Sequence, residues 1–142
     1  RSFFTTDFTI AEGILHAVEK DVDVINMRIG STRPSSIIQD AIDVAGEAGI
    51  VLVAAAGNNG STIKSYPGAY AGVINVGATD QANELAWFSS YGPALDVVAP
   101  GNQVYAPMFD VDKHSTFEEM SGTPMASPIV AGVAAMLKSK HP

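Results

Sequence analysis

Apolar residues near the start of the chain recur three and four positions apart, at Ile10, Ile14, Leu15 and Val18. That spacing puts them on one face of a helix, with Thr9 or Asp7 as the expected cap. An apolar run follows, Val22 and then Val24 to Met27, set around Asp21 and Asp23 and closing at Gly30; it reads as a buried strand. The Ser/Thr/Pro stretch from Ser31 to Ser36 is a loop that also caps the next helix. In that helix Ile37, Ile38, Ala41, Ile42, Ala45 and Ala48 share a face, and Gly49 stops it. Three short apolar runs, Ile50 to Ala54, Val73 to Gly77 and Leu95 to Pro100, have no polar alternation. Strands of that kind are buried on both faces. From Gly101 to Ser121 turn residues and scattered aromatics read as loops with room for a hairpin, and Thr123 to Lys140 forms a last helix with Val130, Val133, Ala134 and Leu137 on one side. Apolar strands alternating with helices predict an α/β fold, a parallel sheet with helices on both faces.

Composition narrows the function. With 46% hydrophobic and 16% charged residues, the 142-residue chain can bury a core and forms one unit. A net charge of −7, with eight Lys plus Arg against fifteen Asp plus Glu, repels phosphate backbones and argues against nucleic acid as a partner. Absence of cysteine excludes disulfides and thiolate chemistry. No apolar run approaches the length that spans a bilayer, so no membrane role is expected. The chain opens on Arg1 without a basic-then-apolar leader, which reads as a processed or partial sequence.

Ligands of parallel α/β sheets bind beyond the carboxyl ends of the strands. Three segments fall there: Asn26 to Gly30, Ala54 to Gly60, and Ser121 to Pro128 at the entry to the last helix. Taken by itself, Gly57-Asn58-Asn59-Gly60 is a turn, because Asn and Gly tolerate positive φ.

In combination and order these segments resemble the subtilisin-like serine proteases. The matching stretches are Asp23 to Met27, Ala54 to Asn58, Tyr66-Pro67-Gly68, Phe88-Ser89-Ser90 with Gly92-Pro93, and Ala99-Pro100-Gly101. The most specific match is Gly122-Thr123, then Met125 to Pro128, followed by Val130-Ala131-Gly132. The resemblance implies the C-terminal half of a catalytic domain, residues 1–142. It also implies secretion, an extended peptide or protein as substrate, and no required cofactor.

The resemblance assigns roles by position. The nucleophilic Ser belongs between Thr123 and Met125, where this chain has Pro124. Proline offers neither the hydroxyl that attacks a carbonyl nor the N–H that helps hold the oxyanion. In subtilisin itself, the source of the figure, loss of the Ser costs on the order of 10⁶ in turnover. Asn58 matches the oxyanion-hole asparagine, and Thr123 stands beside the nucleophile position at the expected helix cap. Arg28, Ile29 and Gly30 match the edge that pairs with substrate backbone; Ala55, Ala56 and Gly57 match the opposite wall. Arg28 departs from the small serine usual there, and either faces solvent or intrudes on the cleft. Gly68, Tyr70 and Val73, near Asp96, resemble a weak calcium or sodium site. The Asp and His segments of the family's triad do not occur, and His16, His114 and His141 read as surface or helix-end residues. Ser121 and Ser127 are too far from the nucleophile position to replace it. The chain is therefore expected to be inactive: part of an endopeptidase domain whose partners include the missing N-terminal half or a pro-segment. The alternative is a non-catalytic, peptide-binding pseudoprotease.

Overall fold

The computed structural model describes residues 5–110 and 114–141. Helix α1 spans Asp7–Glu19. Its cap is Thr6, one residue ahead of Asp7 and three ahead of Thr9, the two expected positions. Thr6 is extended, and its hydroxyl accepts the Thr9 N–H at 3.1 Å, which leaves Asp7 in the first turn where the helix dipole favours an acid. Strand β1 (Val24–Met27), helix α2 (Ser36–Glu47), and strands β2 (Val51–Ala55), β3 (Val73–Thr79) and β4 (Val97–Pro100) follow. The four strands form one parallel sheet in the order β1-β2-β3-β4. β1 and β4 are shorter than the apolar runs that predicted them. Val22 follows Asp21, whose φ of 54° turns the chain, and Leu95 follows the turn at Gly92, whose carbonyl accepts its N–H.

Side chains alternate across the sheet. Ile25, Met27, Leu52, Ala54 and Val73 meet Ala11 and Ile14 of α1 and Ile38, Ala41, Ile42 and Ala45 of α2. Val24, Val51, Val53, Ile74, Val76 and Ala78 face the other way, toward Ala126, Val130 and Ala131. These last three lie on helix α3 (Thr123–Lys140), which crosses all four strands. α3 thus covers one face across all four strands, and α1 and α2 cover the other as far as the start of β3, with Val97 and Val98 of β4 left exposed. Between β4 and α3, strands β5 (Val104–Asp110) and β6 (His114–Met120) pair antiparallel over seven positions. Two aromatics of this segment, Tyr105 and Phe117, stack diagonally across the hairpin with centroids 5.5 Å apart.

α3 differs from expectation at both ends. Gly122, not Thr123, is the cap; Thr123 is the first helical residue and Pro124 the second, where a missing N–H still leaves no intrahelical bond broken. Pro128 lies inside the helix, so the Pro124 carbonyl loses the N–H it would otherwise accept. Of the four residues placed on one side, Val130 packs on the sheet, whereas Val133 and Leu137 are exposed.

Candidate active site

The ladder between β1 and β2 ends at the pair Met27 and Ala54. Beyond it the two chains part, and the gap is a cleft of about 240 Å³. One wall is Arg28, Ile29 and Gly30; the other is Ala55 and Gly57, continuing to Asn58; Thr123 and Pro124 close the end. Ala56, assigned to the second wall by the resemblance, is buried and points away from this cleft, because it stands between Ala55 and Gly57 on a chain that is still extended. Arg28 both lines the cleft and is exposed to solvent. Among the described residues, no loop backbone hydrogen bond involves Arg28, Ile29 or Gly30. Their N–H and C=O groups are free to pair with an added strand. The wall is anchored one residue later, where Ser31 and Tyr66 exchange two backbone bonds of 2.8 Å.

Asn58 is held in one orientation. Its Oδ1 accepts the Thr123 N–H at 2.8 Å and the Thr123 hydroxyl at 3.0 Å. A backbone N–H can only donate, so the oxygen must face Thr123 and the amide Nδ2 must face away. The Thr123 hydroxyl in turn accepts the Gly57 N–H at 3.1 Å. Thr123 is fully buried and ties the loop after β2 to the start of α3. Gly122, with φ 151°, lets the chain pass beside Asn58; a Cβ there would lie 3.0 Å from Nδ2.

The remaining candidates fall elsewhere. Ser127 is fully buried, and the Ser121 hydroxyl donates to Asn102 Oδ1 and accepts the Gln103 N–H. Neither lines the cleft, and among the described residues no histidine does. His16 lies on the exposed face of α1 beside Glu19, His141 caps α3, and His114 opens β6 with its side chain outside the described residues. Gly68, Tyr70, Val73 and Asp96 do come together, around a surface depression of about 370 Å³. Four lining residues of the cleft, Ser31, Thr32, Asn59 and Ser65, were not anticipated. Nor was a second cavity of about 430 Å³ on the far side of residues 29–31, lined by Ile10, Arg33, Ile38 and Tyr66. These residues come from three separated segments, and only the fold unites them.

Comparison with known proteins agrees with this architecture. The subtilase family matches residues 3–142, and the chain belongs to that family. It is 44% identical over 134 residues to M-protease of Shouchella clausii, covering 94% of this chain and 34% of that protein. Against subtilisin BL of Lederbergia lenta the identity is 43%, covering 94% and 48%. Among solved structures, the prenylagaramide maturation protease PagA superposes with a TM-score of 0.87 at 28% identity, covering 98% of this chain and 51% of that one. A protease from Pseudoalteromonas arctica gives 0.87 at 33%, covering 91% and 45%. The chain thus spans about half the length of these relatives or less, and its lineage is that of the subtilisin-like serine proteases.

Proposed function

We propose that this chain is the C-terminal part of a subtilisin-like endopeptidase domain that binds extended peptide and, as it stands, does not hydrolyse it. The observation that carries the reading is Pro124 at the closed end of a cleft whose Asn58 amide is already aimed. Hydrolysis through a serine needs a hydroxyl to attack the carbonyl, a base to take its proton and donors for the oxygen that becomes negative. At the nucleophile position Pro124 supplies no hydroxyl, and among the described residues no histidine lines the cleft to take a proton. The hydroxyls that do line it, those of Ser31, Thr32, Ser65 and Thr123, have no base beside them among the described residues. Of this set the Nδ2 donor of Asn58 remains. In subtilisin itself such a donor is worth about 10²–10³ in turnover, which is no use without a nucleophile.

Peptide binding draws on different groups. The unpaired backbone of Arg28 to Gly30 offers a strand edge, and the cavities on either side of residues 29–31 offer room for alternate side chains. A covering N-terminal half of the domain is supported by the outer edge of β1, which has no partner strand among the described residues, and by the exposed apolar end of α3. A weak calcium or sodium site is supported at Gly68, Tyr70, Val73 and Asp96. There one carboxylate and several carbonyls border the depression, and the Asp96 Oδ2 already accepts the Asn75 N–H at 2.8 Å. Such a cation would steady the loop and supply no chemistry. Secretion is proposed from the family alone; among the described residues no helix is long and apolar enough to cross a membrane.

The test is Pro124→Ser in this chain together with a peptide titration. The variant is expected to release no product from a chromogenic peptide, because a base is still lacking. Turnover by the unaltered chain would overturn the inactive reading, and turnover by the variant would overturn the claim that a base is lacking. Absence of peptide binding up to millimolar concentration would overturn the binding reading.

A further inference from the structure

We infer that Arg28 makes this cleft a receptor for a carboxylate carried by an extended peptide. The inference rests on the peptide-binding reading above and adds to it the chemical class that is preferred.

The charge is local and exceptional. Arg28 is the one charged residue among those lining the cleft, in a chain whose net charge is −7. Among the described residues it has no ion-pair partner and no side-chain hydrogen bond. Its guanidinium therefore presents all its donors, in the planar fork that matches a carboxylate.

The second donor is Asn58 Nδ2. Thr123 occupies Oδ1 with two hydrogen bonds and so fixes the amide, while no protein acceptor takes Nδ2 among the described residues. The start of α3 adds nothing of its own. The Thr123 N–H is committed to Asn58, Pro124 has none, and the Met125 N–H goes to the Gly122 carbonyl. An anion in this cleft is held by side chains from the ends of β1 and β2. A carboxylate, which only accepts and has two oxygens, is the complement of one guanidinium and one fixed amide. Pro124 at the closed end has no hydroxyl or N–H to compete for it.

A peptide can bring that carboxylate as its C-terminus or as an Asp or Glu side chain. Four N-acetylated tetrapeptides separate the sources: tetra-alanine with a free C-terminus, the same peptide as its amide, and amidated Ala-Ala-Ala-Glu and Ala-Ala-Ala-Gln. Each is titrated at low salt into the ¹⁵N-labelled chain while the Asn58 side-chain amide and the Arg28 Nε–H are followed by NMR. One carboxylate peptide is expected to bind at least about tenfold tighter than its uncharged counterpart, the equivalent of about 1.4 kcal/mol. In Arg28→Ser that ratio falls to near one, and in Arg28→Lys a part of it remains. Free acid favoured over amide assigns the C-terminus; Glu favoured over Gln assigns the side chain. Arg28 is exposed, so unshifted amides elsewhere are expected to show Arg28→Ser folded like its parent. Equal affinities in the unaltered chain, or a preference that survives Arg28→Ser, overturn the inference while leaving the peptide cleft standing. Failure of all four peptides to bind overturns both.

Discussion

The two ends of α3 are built to different standards. At the first turn Thr123, Ala126 and Ser127 are wholly buried, and Thr123 alone joins Gly57, Asn58 and the helix through three hydrogen bonds. Three turns later Val133, Met136 and Leu137 are 52%, 67% and 59% exposed. Apolar content does not explain the difference, since both ends carry it. What differs is the surroundings: the first turn sits against Gly101 and the ends of β2 and β3, whereas among the described residues nothing covers the outer side of the later turns. Among the described residues, the end that shapes the cleft is packed and the far end is not.

That contrast can be broken first at Gly101. A Cβ there would lie 2.6 Å from the Ala78 Cβ and 2.9 Å from the Gly122 carbonyl, so Gly101→Ala must push the start of α3 off the sheet. We expect a loss of about 3 kcal/mol in a urea melt, the upper end of the usual range for overpacking. A change under about 0.5 kcal/mol would mean that the first turn is loosely seated. Thr123→Val keeps the shape and removes the hydroxyl, leaving the Gly57 N–H without an acceptor. The expected loss is about 2 kcal/mol, accompanied by broadening of the Asn58 side-chain amide resonances. An unmoved Asn58 signal would show that Thr123 is not what orients it. At the other end Met136→Ser and Leu137→Ser are each expected to change stability by no more than about 0.5 kcal/mol. Both are also expected to lower self-association in sedimentation runs. A loss above about 1 kcal/mol from either would show that this face is already buried, in a second copy or another partner.

Most of the fold was legible because strands buried on both faces leave continuous apolar runs, and helices between them leave a three-to-four spacing. The sheet, the three helices and the loop segments at the strand ends all follow from that. Caps were less legible. Thr6, Asp7 and Thr9 are all able to cap, and the choice depends on which of them is extended when the helix begins. Exposure along α3 could not be read at all: Val130 and Val133 look alike in sequence, and only the crossing angle over the sheet decides which one packs. In the site, Asn58, Thr123 and Pro124 were found through motif order, and Arg28 through its departure from the motif. Asn59 lay inside the Gly57-Asn58-Asn59-Gly60 segment but was given no role of its own; missed were Ser65, which carries no pattern, and the bond that fixes Asn58. Ala56 was misplaced because adjacent positions in an extended segment face opposite ways.

The crossing of α3 over all four strands has a consequence for biosynthesis. The strands it covers end at Pro100, and the helix ends at Lys140. At roughly 5–20 residues per second, the intervening stretch takes on the order of seconds to leave a ribosome. Until Thr123 to Ala131 have been added, Val53, Val76 and Ala78 lack the cover that α3 gives them, and Asn58 lacks the Thr123 that holds it. The contacts that close the end of the cleft cannot form until that stretch has emerged.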